Sequence, residues 1–354
     1  MNLSSSQATH TTSKASKTLA IDCMGGDFGP SVVVPAALEA LLQHSDLIIY
    51  LVGLREEIEP YISQSKRNYF AERLQLKSAS EVIAMDEKPS QAIRGKPDSS
   101  MRVSVELVRD GIADACISSG NTGALMALAT ILIGTLPGIE RPAIVAELPN
   151  RKGKATHMLD LGANIDASAE QLASFAVMGH VLSQAVDGLD KPKVALLNIG
   201  EEAIKGRDSI KIAADTLSSL EDLNYIGYVE ANQLFDGNVD VIVCDGFTGN
   251  NVLKSCEGIT RFLYDQLKSE FSRNWRSKLV AAMVKPVIKA FQKRINPDQY
   301  NGASLLGLRE IVIKSHGSAD KNATLCAINK AIKEIDRQVP TEIQDKVAKL
   351  LVHN

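Results

Sequence analysis

The stretch "TLAIDCMGGDFGPSVVVPAALEALLQ", residues 18–43, sets a short apolar run, an aspartate, two adjacent glycines, a second aspartate and Gly-Pro ahead of a helical pattern. An apolar, β-branched run that ends in a glycine turn and resumes as a helix is the strand-turn-helix unit of a parallel sheet. The unit recurs along the chain. "DACIS" leads into "SGNTG" and the helix "ALMALATILIG", and "HMLDL" leads into "GANID" and a helix over about 169–183. "KVALLNI" leads into "GEEAIKGRDS" and a helix from about 210, and "VDVIVC" into "DGFTGNN" and "VLKSCEGI". Strands that are apolar on both faces predict a largely parallel sheet covered by helices on both sides. In that architecture the loops that follow the strands gather at the carboxyl edge, where ligands bind, so these glycine-rich loops are expected to share one rim.

The bulk composition agrees with a globular enzyme-sized chain. It has 354 residues, 45% hydrophobic and 23% charged, with a formal net charge of −3 and a pI near 6.1, which gives no global bias toward nucleic acid. The five cysteines are dispersed, without metal-ligand spacing, which suits a reducing, cytoplasmic setting. Residues 1–17 are Ser/Thr-rich without an apolar core and are expected to form a disordered tail rather than a signal peptide. Residues 18–354 are expected to form a single domain. Within it the stretch at about 260–296 departs from the pattern: eight basic residues face one acid between Lys268 and Arg294. Lys278, Lys285, Lys289 and Lys293 fall on one helical face, and Leu279, Met283, Val287, Ile288 and Phe291 on the other. Pro286 is expected to kink this helix. It reads either as a packed helix with a solvated lysine face or as a surface for an acidic protein or an anionic lipid.

The loops suit a small anion. Backbone N–H groups at a helix start, bared by glycine, bind anions through orphan donors and the helix dipole. "SSGNTGA", with Ser119, Gly120, Asn121, Thr122 and Gly123 before a long helix, fits this, as do Gly25 and Gly26 beside Asp27. There is no G-x-x-x-x-G-K-[ST] and no G-x-G-x-x-G after a strand, so neither a nucleoside triphosphate nor a dinucleotide is indicated. No G-x-S-x-G elbow or H-E-x-x-H occurs, the carboxylate pairs Asp22/Asp27 and Asp160/Asp166 fit turn roles as well as catalytic ones, and no metal site is expected. His316 in "IKSHGS", with Lys314 and Ser318 beside it, is the most suggestive histidine; Cys244, in the apolar "VIVC", has nothing adjacent to lower its pKa. The better-placed groups are cations and amides: Arg94, Arg141, Lys205, Asn250 and Lys254. Anion donors without a protein nucleophile suit a reaction in which the anion itself attacks, such as phosphate on a thioester, whose thiol leaves readily.

Eight stretches resemble the phosphate acyltransferases of bacterial phospholipid synthesis: "IDCMGGDFGP", "KPSQAIRGKPDSSM", "SSGNTGALMA", "GIERPAI", "LDLGAN", "LLNIGEEAIKG", "DVIVCDGFTGNNVLK" and "YNGASLLGL…VIKSHGSAD". They run in order from about Leu19 to Ile335. The resemblance implies a homodimeric three-layer α/β/α fold, like the isocitrate and isopropylmalate dehydrogenases, used without a cofactor. It implies transfer of an acyl group from acyl carrier protein to inorganic phosphate, peripheral membrane association, and delivery of the acyl phosphate to a membrane glycerol-3-phosphate acyltransferase. Lys205 in "KG" and Asn250 in "FTGN" match the residues implicated in catalysis. Asn164 in "LGAN" and Thr248 in "FTGN" stand with the phosphate and substrate positions, and the basic face around Lys285 matches a helical excursion. Cys23 replaces a usual alanine, and Ala231 and Glu310 usual glycines, so Ala231 would be strained if its position needs a positive φ. The competing readings are a phosphate acetyltransferase using acyl-CoA and a non-catalytic scaffold for carrier protein at the membrane.

Overall fold

The computed structural model describes residues 16–295 and 297–350. The tail expected over 1–17 therefore lies, up to residue 15, outside the described residues, and Lys17 already opens the first strand. The strands are β1 (Lys17–Asp22), β2 (Leu47–Gly53), β3 (Leu74–Ser78), β4 (Ala115–Ser118), β5 (Ala143–Pro149) and β6 (Ala155–Leu159). They continue as β7 (Val194–Leu197), β8 (Tyr225–Val229), β9 (Val241–Val243), β10 (Ala303–Leu306) and β11 (Ile311–Lys314). The helices are α1 (Pro30–Gln43), α2 (Arg55–Ile58), α3 (Gln64–Phe70), α4 (Pro89–Gly95), α5 (Ser100–Arg109) and α6 (Thr122–Leu132). After them come α7 (Ala169–Asp187), α8 (Asp208–Ser218), α9 (Gly246–Ser272), α10 (Trp275–Ile295), α11 (Lys321–Asp336) and α12 (Val339–Leu350).

Local chemistry sets the helix starts. Gly29 takes φ 51, a left-handed value open to glycine, and Pro30 follows at the first helical position of α1, where its missing N–H costs nothing. Ser168 and Gln171 form a reciprocal capping box on α7, and Gly188 closes that helix at φ 69.

One sheet holds all eleven strands, in the order β3-β2-β1-β4-β11-β10-β5-β6-β9-β7-β8. Alternate residues of each strand enter different cores. Ala20, Cys116, Val312, Met158 and Ile242 join one cluster together with α5 and α6 residues such as Val105 and Leu125. On the opposite face Leu19, Ile21 and Ile117 meet α1 and α11, while Leu159, Val241 and Val243 meet α7 and α12. This is the expected three-layer arrangement of a sheet between two helical layers.

The sheet is not parallel throughout, and that positions the site. β3, β2, β1, β4 and β11 run one way; β10 is antiparallel to β11, β5 to β10 and β6 to β5, so β6, β9, β7 and β8 run the other way. Successive pairings join Ile21, Ile117, Ile313, Ser304, Val145, Leu159, Val243 and Leu196 into one continuous row. β1, β4 and β11 end one residue beyond this row; β6 and β9 end on it from the opposite direction. The loops therefore do not share the single rim that a wholly parallel sheet would give. Two opposed carboxyl edges end at one level instead.

Ala231 opens a short 3-10 turn and is not among the positive-φ residues, so the strain considered for that position is absent. α9 and α10 form a helical hairpin, and α10 runs through Pro286.

Candidate active site

The first edge is built on Asp22, at the end of β1. Its buried carboxylate accepts from the Ser118 hydroxyl (2.6 Å) and the Met24 amide (3.1 Å), tying the β1 and β4 loops together. Burial pushes this carboxyl above the usual range, against those hydrogen bonds. Gly25 then lies so close to the β4 loop that a Cβ there would stand 2.5 Å from the Gly120 nitrogen. Gly26 takes φ 83, and the next amide, of Asp27, donates to the Gly317 carbonyl at 2.8 Å. The β1, β4 and β11 loops are thereby one backbone cluster. Asp27 is exposed.

Both donors of the Asn121 side-chain amide are spent inside the protein. Its Oδ1 caps α6 by accepting from the Ala124 amide (3.0 Å), and its Nδ2 donates to the carbonyls of Met85 and Glu87 (2.9 Å each). The next two amides, of Thr122 and Gly123, have no acceptor among the described residues and face out of exposed positions at the start of α6. Pro89, which opens α4, packs on Gly123; Arg94 lies exposed farther along α4. His316 accepts or donates at Nδ1 with Ser318 Oγ (2.9 Å), and its own amide is held by Asn301 (2.9 Å).

The second edge is organised by Asp160, just past β6. Its carboxylate accepts from the amides of Ile144 (2.9 Å), Ala163 (3.0 Å) and Asn164 (2.7 Å) and from Asn164 Nδ2 (3.0 Å). Burial raises this carboxyl as well. Asn164 Nδ2 also reaches the Pro142 carbonyl (2.9 Å), next to the exposed Arg141. The start of α9 is locked onto the same loop. The amides of Gly246 and Phe247 donate to the carbonyls of Asn164 (2.7 Å) and Ile165 (3.2 Å), and Thr248 N donates to the Asp245 cap (2.7 Å). This helix start has its first donors occupied, so α9 offers side chains rather than a bare N-terminus. Asn250 stands exposed over Gly162, and Lys254 lies one turn on.

Lys205 lies on the β7–α8 loop, half exposed, with Nζ 2.8 Å from Glu202. The Glu202 carboxylate beside it holds the ammonium above its ordinary pKa, so it is charged at neutral pH. Arg207 joins this loop to the other two: its Nη1 is 3.4 Å from Asp245 and 3.7 Å from Asp166. Lys205, Asn164, Thr248 and Asn250 thus belong to one network of loops, while Gly25, Gly26, Asp27, the 119–123 loop and His316 belong to the other. Lys254 connects them, with Nζ 3.4 Å from His316 Nε2 and 2.9 Å from Glu257. Arg94 and Arg141 are both exposed and flank the two networks.

The sequence reading did not select Arg207 or the buried Lys314. In sequence Lys314 is no more than a lysine closing an apolar strand beside His316, and only its burial sets it apart. Cys244 is buried with Sγ 3.6 Å from the Asp160 carbonyl, and burial pushes its thiol far up, as it does those of Cys23 and Cys116. None of these three is an activated nucleophile. Among the described residues no group of three or more His, Cys, Asp or Glu is arranged to hold a metal ion.

Lys278 and Lys285 are exposed on α10; the side chains of Lys289 and Lys293 lie outside the described residues. The apolar residues of this hairpin are exposed too, among them Phe262, Trp275, Leu279 and Met283 (74%). Among the described residues no helix is long and apolar enough to cross a membrane.

A family model described as a fatty acid synthesis protein matches residues 17–342. The Phosphate acyltransferase of Shewanella sp. (strain MR-4) is 50% identical over 337 residues, which cover 95% of this chain and 98% of that protein. Of solved structures, a phosphotransacetylase from Streptococcus pyogenes aligns with a TM-score of 0.55 at 18% identity, covering 90% of this chain and 94% of that one. A 4-hydroxythreonine-4-phosphate dehydrogenase from Klebsiella pneumoniae aligns with a TM-score of 0.51 at 15% identity, covering 91% and 99%. At such identities the structural likeness shows the fold alone, a scaffold shared by a phosphotransacetylase and a dehydrogenase. Half-identity across nearly the full length of both chains shows more: this chain belongs to the phosphate acyltransferase family and is an acyltransferase.

Proposed function

We propose that the chain transfers a fatty acyl group from acyl-acyl carrier protein to inorganic phosphate. The reaction is a direct displacement: a phosphate oxygen attacks the thioester carbonyl, the tetrahedral oxyanion collapses, the C–S bond breaks, and the carrier thiol leaves with the electron pair. The observation that carries this reading is the meeting of the two carboxyl edges. It brings the loops that carry the free helix start at Thr122 and Gly123 and those that carry Asn250 and Lys205 to one level of the sheet, with the Lys254–His316 contact between them, while Cys23, Cys116 and Cys244 are buried and inactivated. Phosphate brings its own ionised oxygen, so the protein needs to hold it, orient the carbonyl and stabilise the oxyanion. In this reading Lys205 and Asn250 do the last of these.

A long acyl group, rather than acetyl, is supported by the side chains of the same loops. Ile165, Ile199, Ile204 (84% exposed) and Phe247 (60%) stand in water on the β6 and β7 loops and the start of α9, the segments that carry Asn164, Lys205 and Asn250. Apolar side chains gathered around a polar site mark a place for an apolar partner. The test supplies phosphate with a long-chain acyl-carrier-protein thioester and traps acyl phosphate with hydroxylamine. Phosphate-dependent hydroxamate is expected from this donor, and little from acetyl-CoA. A preference for acetyl-CoA would make the chain a phosphate acetyltransferase; no phosphate-dependent thioester cleavage would leave a carrier-protein scaffold.

The α9–α10 hairpin is proposed as the surface for a second copy of the chain and for the membrane, where the acyl phosphate passes to glycerol-3-phosphate acyltransferase. Its exposed apolar residues and the lysines at 278 and 285 support this. Each lysine near an anionic surface contributes about 1 kcal/mol. Reversing both charges (Lys278→Glu with Lys285→Glu) is expected to weaken sedimentation with phosphatidylglycerol vesicles by roughly ten-fold or more at low salt. Unchanged sedimentation would return this face to protein contacts only.

A further inference from the structure

Lys314 ends β11, in the middle of the sheet, paired with Ser118 of β4 and near Ala303 of β10. It is 9% exposed. Its Nζ donates to the Ser119 carbonyl at 3.4 Å and to that of Ser315, and among the described residues no carboxylate lies within ion-pair distance. An ammonium taken out of water is normally paired. Here the charged groups around it are Asp22 on β1, Asp27 on the following loop and Lys254 on α9, with His316 on its own loop in contact with Lys254. Asp22 is committed to Ser118 and the Met24 amide, and Asp27 is exposed. Lys254 repels. Burial and the Lys254 charge together bring the Lys314 ammonium down to about 8, so it is poised to lose its proton just above neutrality.

The cation therefore sits directly beneath the loop that opens α6, held to that loop by a carbonyl, with Asp22 and Asp27 near but no carboxylate in ion-pair contact among the described residues. We propose that Lys314 is the positioning residue of the phosphate subsite: it fixes the 118–123 loop through the Ser119 carbonyl, and the bound phosphate dianion is its counter-charge. This rests on the reading that the cleft binds phosphate. A purely structural lysine, tying two carbonyls together, would not sense the ligand. A lysine that shares its field with a dianion must, because the dianion favours the charged form and raises its pKa on binding. The linkage has a definite sign. Below about pH 8 the lysine is charged with or without ligand, and phosphate affinity is flat in this respect; above it, only the bound form holds the proton, so binding takes up a proton and affinity falls as pH rises.

The test is calorimetric titration of the full-length chain with inorganic phosphate in buffers of different ionisation enthalpy, from about pH 7 to about pH 9. At the alkaline end phosphate is already dianionic and histidine neutral. The wild-type chain is expected to take up a fraction of a proton there and none attributable to lysine near pH 7. Lys314→Met is expected to bind phosphate on the order of ten-fold more weakly and to lose the uptake. Lys314→Arg, charged at every pH used, is expected to recover much of the affinity while flattening its pH dependence, and to raise KM for phosphate more than KM for the thioester. The arginine variant and the wild-type proton count decide the matter even if the methionine variant fails to fold. Phosphate binding with no proton uptake, and with the same pH dependence in Lys314→Arg, overturns the role of Lys314 and leaves the phosphate reading standing. No phosphate binding by the wild-type chain at any pH overturns both.

Discussion

Asn250→Ala and Lys205→Ala are each expected to lower turnover by roughly 10² to 10³, the usual effect of removing one preorganised oxyanion donor. The two residues are suited to report on chemistry because neither holds the fold together. Asn250 is exposed on the second turn of α9, and Lys205 is half exposed with an ion pair to Glu202. Melting temperatures close to wild type are therefore expected alongside the loss. The ammonium stays charged through the neutral range because Glu202 raises its pKa, so the Lys205 contribution should not titrate between about pH 6 and about pH 8. Groups that act on one transition state are not additive, and the double variant should be little slower than the worse single one. Asn250→Asp, which sets a carboxylate against phosphate, should be at least as slow as the alanine variant. A Lys205→Ala chain with full turnover and unchanged melting would remove this lysine from the mechanism and turn attention to Lys254, which joins the two loop networks through His316.

The fold was legible in the sequence wherever local chemistry decides it. "DACIS", "HMLDL", "KVALLNI" and "VDVIVC" became β4, β6, β7 and β9, each followed by the helix its glycine turn announced. Residue periodicity carries no information about direction, however. The reversal of half the sheet passes through two local hairpins, β10–β11 and β5–β6, and is completed only by the antiparallel pairing of β10 with β5, strands far apart in the chain. A parallel rim and a head-to-head meeting of edges bring together the same loops, which is why the loops could be named before their geometry was known.

Site residues divide in the same way. Glycines that permit close approach, such as Gly25 against Gly120, follow from the chain alone. Asn121 does not: an asparagine before a helix suits a phosphate ligand and a cap equally, and only the carbonyls of Met85 and Glu87 show that its amide is spent on the scaffold. Lys314 was hidden for the opposite reason. In "EIVIKSHGS" it reads as the polar end of a strand, and its burial depends on three loops arriving from elsewhere. Arg207 likewise gains its meaning from Asp166 and Asp245, distant carboxylates on two other loops.

The largest effect on the fold itself is expected from Gly249→Ala. A methyl there would fall well inside contact distance of the Asp160 carbonyl oxygen and 2.9 Å from Cys244 Sγ. The carbonyl is backbone of the loop whose carboxylate already accepts from Ile144, Ala163 and Asn164, and the sulfur is buried, so neither can give way cheaply. Overpacking of a rigid site costs about 1–3 kcal/mol and sometimes more. With backbone on one side, about 3 kcal/mol is expected, a drop in melting temperature of roughly 4 °C for a chain of 354 residues. Turnover should fall too, because the methyl separates the α9 start from the 160–164 loop and moves Asn250. Gly258→Ala is the control on the same helix. Nothing lies within 4 Å of a Cβ at that position, and replacing a helical glycine by alanine should stabilise by about 0.5–1 kcal/mol. Opposite signs at these two glycines are what distinguish a backbone contact that builds the cleft from helix propensity. If Gly249→Ala melts with Gly258→Ala at or above wild type, the locking of α9 onto the Asp160 loop is not what holds the two edges of the site together.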